Sequence, residues 1–89
     1  MEKPPLVFVL WNDSQDHPEK WVDESAAQAF GDVPCTISSI GYQVSKTEKY
    51  ITIAGDWDAT DKDFGQVTKI PMGMIVSITE IPDVRTVPE

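Results

Sequence analysis

The chain has 89 residues, enough for one domain with one small core. Fifteen acidic residues against seven basic ones give a net charge of −8, which repels phosphate backbones and puts nucleic-acid binding at a disadvantage. With 40% apolar residues and three Trp, three Phe and two Tyr, the composition excludes a disordered acidic chain, and no apolar run approaches the roughly 18 residues of a membrane helix.

Leu6-Val7-Phe8-Val9-Leu10-Trp11 is a compact apolar run behind two prolines and ahead of Asn12-Asp13-Ser14, which predicts a first strand leading into a turn. Pro18 offers a first helical position, and Val22, Ala26, Ala29 and Phe30 repeat at helical spacing up to Gly31. Ser25 and Gln28 have capping-box spacing and allow a shorter helix from Ala26 instead. Residues 36–44 and 49–54 are rich in β-branched and aromatic side chains and are joined by Ser45-Lys46-Thr47-Glu48, a hairpin pattern. Gly41, inside the first of these strands, predicts a bend or bulge. The stretch 55–65 is polar, has a glycine at each end and breaks every periodicity, and is expected to be an exposed loop. Residues 66–72 and 74–81 predict a last pair of strands interrupted at Pro71 and Gly73. The ends, 1–5 and 82–89, are expected to fray. The pattern predicts a mostly β domain over residues 1–89, a small five-stranded barrel with one short helix inserted after the first strand.

Three segments carry a family resemblance: Val9-Leu10-Trp11-Asn12-Asp13, Cys35-Thr36-Ile37-Ser38-Ser39-Ile40-Gly41-Tyr42, and Ile70-Pro71-Met72-Gly73-Met74-Ile75-Val76-Ser77-Ile78. Together they resemble small Sm-like proteins encoded by tailed bacteriophages. The resemblance implies an Sm-like, SH3-type barrel of five bent strands that forms rings when edge strands of neighbouring copies pair. It departs from the usual Sm pattern in placing a strand before the helix. The Asp and Asn pair of the first Sm motif and the Arg-Gly or Lys-His pair of the second have no counterpart here, so RNA binding does not carry over.

Cys35 is the one cysteine, so no intramolecular disulfide forms, and association is the expected aid to a domain this small. A lone thiol and the lack of a signal-like apolar stretch after Met1 set the cytosol as the expected location, which the phage resemblance implies is that of a bacterial host. Cys35 reads as a small buried hydrophobe, although with His17 it could form a nucleophile and base pair if the fold joined them. Asp56, Asp58, Thr60, Asp61 and Asp63 crowd oxygen donors together, but Asp61 and Val67 stand where a calcium loop requires Gly and Glu, so a solvated loop is the expectation. Structural zinc would need four Cys or His ligands, and the chain offers two. No catalytic signature is present, and neither an enzyme nor a cofactor is expected.

Trp11 and Trp21 are expected in the core or under the helix, whereas Trp57 sits among aspartates, either exposed for contact or folded back as a lid. Gln66, Thr68 and Lys69 lie beside it and supply polar groups for a ligand pocket. The expected function is therefore a non-catalytic, phage-type accessory protein. It would pair with itself through edge strands and bind a small, nucleotide-like signalling ligand or a host protein at Trp57, Gln66, Thr68 and Lys69. A single-stranded RNA-binding ring and a purely structural interaction module are the alternatives.

Overall fold

The computed structural model describes residues 3–82. The elements run β1 (Leu6–Asp13), α1 (Glu24–Gly31), β2 (Cys35–Lys46), β3 (Tyr50–Asp58), β4 (Asp63–Pro71), a 3-10 turn (Met72–Met74) and β5 (Ile75–Ile81). All five strands belong to one antiparallel sheet in the order β4-β3-β2-β1-β5. Four strands follow one another as a meander, and β5 returns to pair with the free side of β1.

The apolar run of β1 works because its odd positions point one way: Val7 and Val9 are buried. They join Ile51 and Ile53 of β3 and Ile70 of β4 in one cluster, with Trp11, Met72, Ile75 and Ile78 packed around it. Neighbouring strands lie about 4.8 Å apart, so β1 and β4, three places apart, would stand about 14 Å from each other in a flat sheet. A single cluster holding Val9 and Ile70 therefore requires the sheet to curl, with the β1–β5 side folded over the β3–β4 side. The curl does not become closure. β4 and β5 remain the two ends of the sheet, so the closed barrel expected from the sequence is not what the strand pairing gives.

β2 is the strand both sides share. Its first part, Cys35 to Tyr42, pairs with β1, and its last part, Tyr42 to Lys46, pairs with β3. The bulge expected at Gly41 lies further on, where the register with β3 shifts between Gln43 and Ser45. Gly41 is needed for a different reason: a Cβ there would stand 2.7 Å from the Ala54 carbonyl oxygen, so only a hydrogen lets β3 approach this closely. The following turn is held by Thr47, whose hydroxyl accepts from the Lys49 and Tyr50 amides, 3.2 Å each. The Met72 amide donates to the Lys49 carbonyl (2.8 Å), fastening the 3-10 turn to this hairpin. At the N-terminal end Pro4 is buried and the Pro5 carbonyl accepts from Gln43 N–H at 2.8 Å. The fraying expected at 1–2 and 83–89 lies outside the described residues.

Two local expectations are corrected. The polar stretch 55–65 is mostly strand: β3 and β4 continue through it in register, Asp56 opposite Gly65, Trp57 opposite Phe64 and Asp58 opposite Asp63, leaving only residues 59–62 as a turn. Asp58 builds that turn, its side chain accepting from Thr60 N–H (2.9 Å) and its carbonyl from Lys62 N–H (2.7 Å), with Lys62 at φ 63°. The helix starts at neither Pro18 nor Ala26. Asp23 is its N-cap, the carboxylate accepting from Ala26 N–H at 2.8 Å, and Gln28 donates to Glu24 instead of closing a box with Ser25. None of the helical residues is buried, and Trp21, expected in the core or beneath the helix, is 87% exposed.

Candidate functional site

The end of the β3–β4 hairpin brings together three aromatic side chains, Trp57, Phe64 and Tyr42. Trp57 faces Phe64 across the strand pair, and its ring lies 6.1 Å from that of Tyr42 at an interplanar angle of 53°. Lys62, brought round by the turn at 59–62, places its ammonium 5.9 Å from the Trp57 ring, within reach of a cation–π attraction. Trp57, Phe64 and Tyr42 are all half-buried, so Trp57 is neither the solvent-exposed anchor nor a fully closed lid. Its indole Nε1 is buried and has no hydrogen-bond partner among the described residues. A buried N–H left unpaired costs about 1–3 kcal/mol.

The remaining residues expected at the site are divided by the strand geometry. Gln66 stands opposite Gly55, exposed, with φ at 56°, an uncommon left-handed backbone for a residue with a side chain. Thr68 is opposite Ile53 and Lys69 opposite Thr52, and as neighbours in one strand they leave opposite faces of the sheet. Lys69 lies over the Tyr50 ring, 4.7 Å from its centroid. Five strand positions separate Trp57 from Thr52, about 17 Å, so Lys69 and Trp57 do not share a pocket. The structure thus keeps Trp57 with Tyr42, Lys62 and Phe64, sets Gln66 beside them, and places Lys69 elsewhere. Reading 55–65 as a loop hides Phe64 and Lys62, and Tyr42 is hidden because its approach to Trp57 depends on the pairing of β2 with β3. Centring a hairpin between Thr60 and Asp61 pairs Trp57 with Phe64 at once.

Away from this group, a concavity of about 260 Å³ opens where β1 ends, α1 ends and β2 begins. Asn12, Asp13, Phe30, Val33, Pro34 and Cys35 line it. Asn12 and Thr36 are paired across the strands, the Thr36 hydroxyl donating to Asn12 Oδ1 at 2.9 Å. Cys35 is half-buried on this wall rather than enclosed in the core. His17 makes an edge contact with Phe30, ring centroids 4.8 Å apart, and its Nδ1 accepts from the Glu19 amide at 2.9 Å. The imidazole therefore makes its hydrogen bond to the backbone and not to the Cys35 thiol, and the two do not form a nucleophile and base pair.

Asp58, within the acidic stretch weighed as a calcium loop, has one carboxylate oxygen accepting from the Thr60 and Asp61 amides, 2.9 and 3.3 Å. That oxygen organises a turn. Among the described residues no three His, Cys, Asp or Glu side chains gather in a way that could hold a metal ion, and no helix is long and apolar enough to cross a membrane. No protein-family model, no curated protein and no solved structure matches this chain.

Proposed function

We propose that the protein is a non-catalytic binding module that assembles with copies of itself through the two ends of its sheet. On this reading it is an Sm-like accessory protein of phage type, acting in a bacterial host's cytoplasm, and pairing between copies completes the barrel-like wall that the single chain leaves open. The observation that carries the reading is the edge strand β5, Ile75–Ile81. It is seven residues long, has Glu80 as its one charged side chain, and exposes Val76 at 55%. A long, weakly charged edge presents unpaired N–H and C=O groups to any complementary strand, and proteins that stay monomeric normally blunt such edges with charge or proline. At the other end, β4 exposes Val67 at 54%. A β4 edge on one copy and a β5 edge on the next are different surfaces, so their pairing is head-to-tail and closes into a ring if the rotation permits.

The binding role rests on the Trp57, Tyr42, Phe64 and Lys62 group, which offers flat apolar faces beside a cation. That combination suits a small ligand with a planar ring and a negative charge, a nucleotide-like molecule being the natural fit. The net charge of −8 weighs against a long polyanion such as single-stranded RNA in the same place.

Native mass spectrometry of the freshly purified protein tests both parts. The expected spectrum is a defined multimer of the 9.9 kDa chain, with Val67→Lys and Val76→Lys each reverting it to monomer by placing charge on an edge. A nucleotide-sized additional mass that disappears in Trp57→Ala would support the ligand site. A wild-type monomer at every concentration would overturn self-assembly.

A further inference from the structure

We propose that the acidic arm formed by residues 13–34, which carries α1 away from the sheet, is a docking surface for a basic segment of another protein. The arm is only loosely packed, its one ring contact being between its own His17 and Phe30. Its helix has eight residues, none of them buried, and a helix of that length is unstable alone in water. Beyond the Asp23 cap, a 3.1 Å hydrogen bond from Gln28 to Glu24 and the edge contact of Phe30 with His17 of the same arm, the helix has only its own backbone to hold it. Most of its apolar residues are uncovered: Trp21 is 87% and Val33 66% exposed, Ala26 and Ala29 face water as well, and only Val22 and Phe30 are half-buried. A tryptophan left almost wholly in solvent gains a large burial free energy when a partner covers it, which is why tryptophans anchor interfaces.

Charge decides what covers the arm. It carries six carboxylates, Asp13, Asp16, Glu19, Asp23, Glu24 and Asp32, against Lys20 as its one cation. The last turn of α1 has no basic residue to offset the partial negative charge of the helix end. That end opens on the 260 Å³ cleft, whose only charged lining residue is Asp13. The cleft is apolar along Phe30, Val33 and Pro34 and acidic at Asp13, a division that matches a lysine or arginine side chain, with its stem on the apolar wall and its head at the carboxylate. Nucleic acid and anionic membrane are repelled. A second copy would bring two sets of six carboxylates together, and the chain's own residues 83–89 hold Arg85 against Asp83 and Glu89. A basic protein segment is the occupant with complementary charge. This surface is separate from the edges through which copies are proposed to pair, and either can fail without the other.

The test uses the full-length, isotope-labelled protein and a synthetic amphipathic peptide of Leu and Lys, with the same peptide carrying Glu for Lys as counter-probe. Amide chemical shifts should move at residues 13–35 and little elsewhere. Amide exchange within Glu24–Gly31 should slow by at least about tenfold at saturation. Affinity should fall about tenfold in Trp21→Ala, an exposed position where folding is not at risk, and severalfold in Asp13→Asn. Equal binding of the Glu peptide, shifts centred on the acidic turn at 59–62, an unaltered affinity in Trp21→Ala, or no shifts at all would each overturn the proposal. The multimer mass, read separately, reports on edge pairing alone.

Discussion

Two tryptophans show how the same side chain does different work in different surroundings. Trp11 packs against the core and donates its indole N–H to the Ser39 hydroxyl at 3.0 Å, so Trp11→Phe loses that bond and leaves the hydroxyl without its donor, at about 1 kcal/mol or more. Trp57 keeps its Nε1 buried and unpaired, so Trp57→Phe removes a desolvated donor while retaining a ring against Tyr42. It should be neutral or stabilising by up to about 1 kcal/mol. Urea unfolding of the two variants side by side checks the opposite signs. Gly41 makes a sharper demand. Its missing Cβ would meet backbone, not a side chain that can turn aside, so Gly41→Ala should destabilise by about 1–3 kcal/mol, seen as a lower urea midpoint. The sequence reads Gly41 as special because a glycine inside a strand packs nothing. What it cannot supply is the reason, since the close approach of Ala54 is a contact between strands whose register with each other is set by the bulge after Gln43.

At the scale of elements, the order strand, helix, four strands follows from the sequence because apolar runs and β-branched clusters are local signals. Boundaries fail where a local signal misleads. The stretch 55–65 has no alternation because its aspartates face solvent on the part of the hairpin beyond the β2–β3 pairing, which reaches only Ala54. Apart from Gly65, only Trp57 and Phe64 there are half-buried, and the polar residues between them are tolerated in strand conformation. The helix start is misread for a related reason: a residue at helical spacing, Val22, belongs to the approach and not to the helix, and the cap is the next residue, Asp23. Asp23→Ala should cost the helix about 1 kcal/mol. Because α1 buries nothing, that loss stays local: amide exchange should quicken within Glu24–Gly31 while the unfolding midpoint of the sheet hardly moves. A matching drop in global stability would mean the helix packs on the sheet after all.

For the whole molecule, the core is small for the chain that surrounds it. The cluster of Val7, Val9, Ile51, Ile53 and Ile70 is built from β-branched side chains that fit a pleated surface, while Ile40 is 60% exposed on the outside. Association is then the natural source of additional burial. The candidate site is partly readable from sequence, since Trp57 stands out by composition. Its companions are not, because Tyr42 reaches it through the pairing of β2 with β3 at Ala54 and Lys62 through the turn that Asp58 organises. The most direct measurement is amide hydrogen exchange of β4 and β5 as a function of protein concentration. If copies pair through their edges, amides of both strands gain protection together as the protein is concentrated, and Val76→Lys abolishes the gain in both. If β1, β2 and β3 are protected while β4 and β5 exchange at the same rate at every concentration, the edges are free in solution and the protein does not assemble through them.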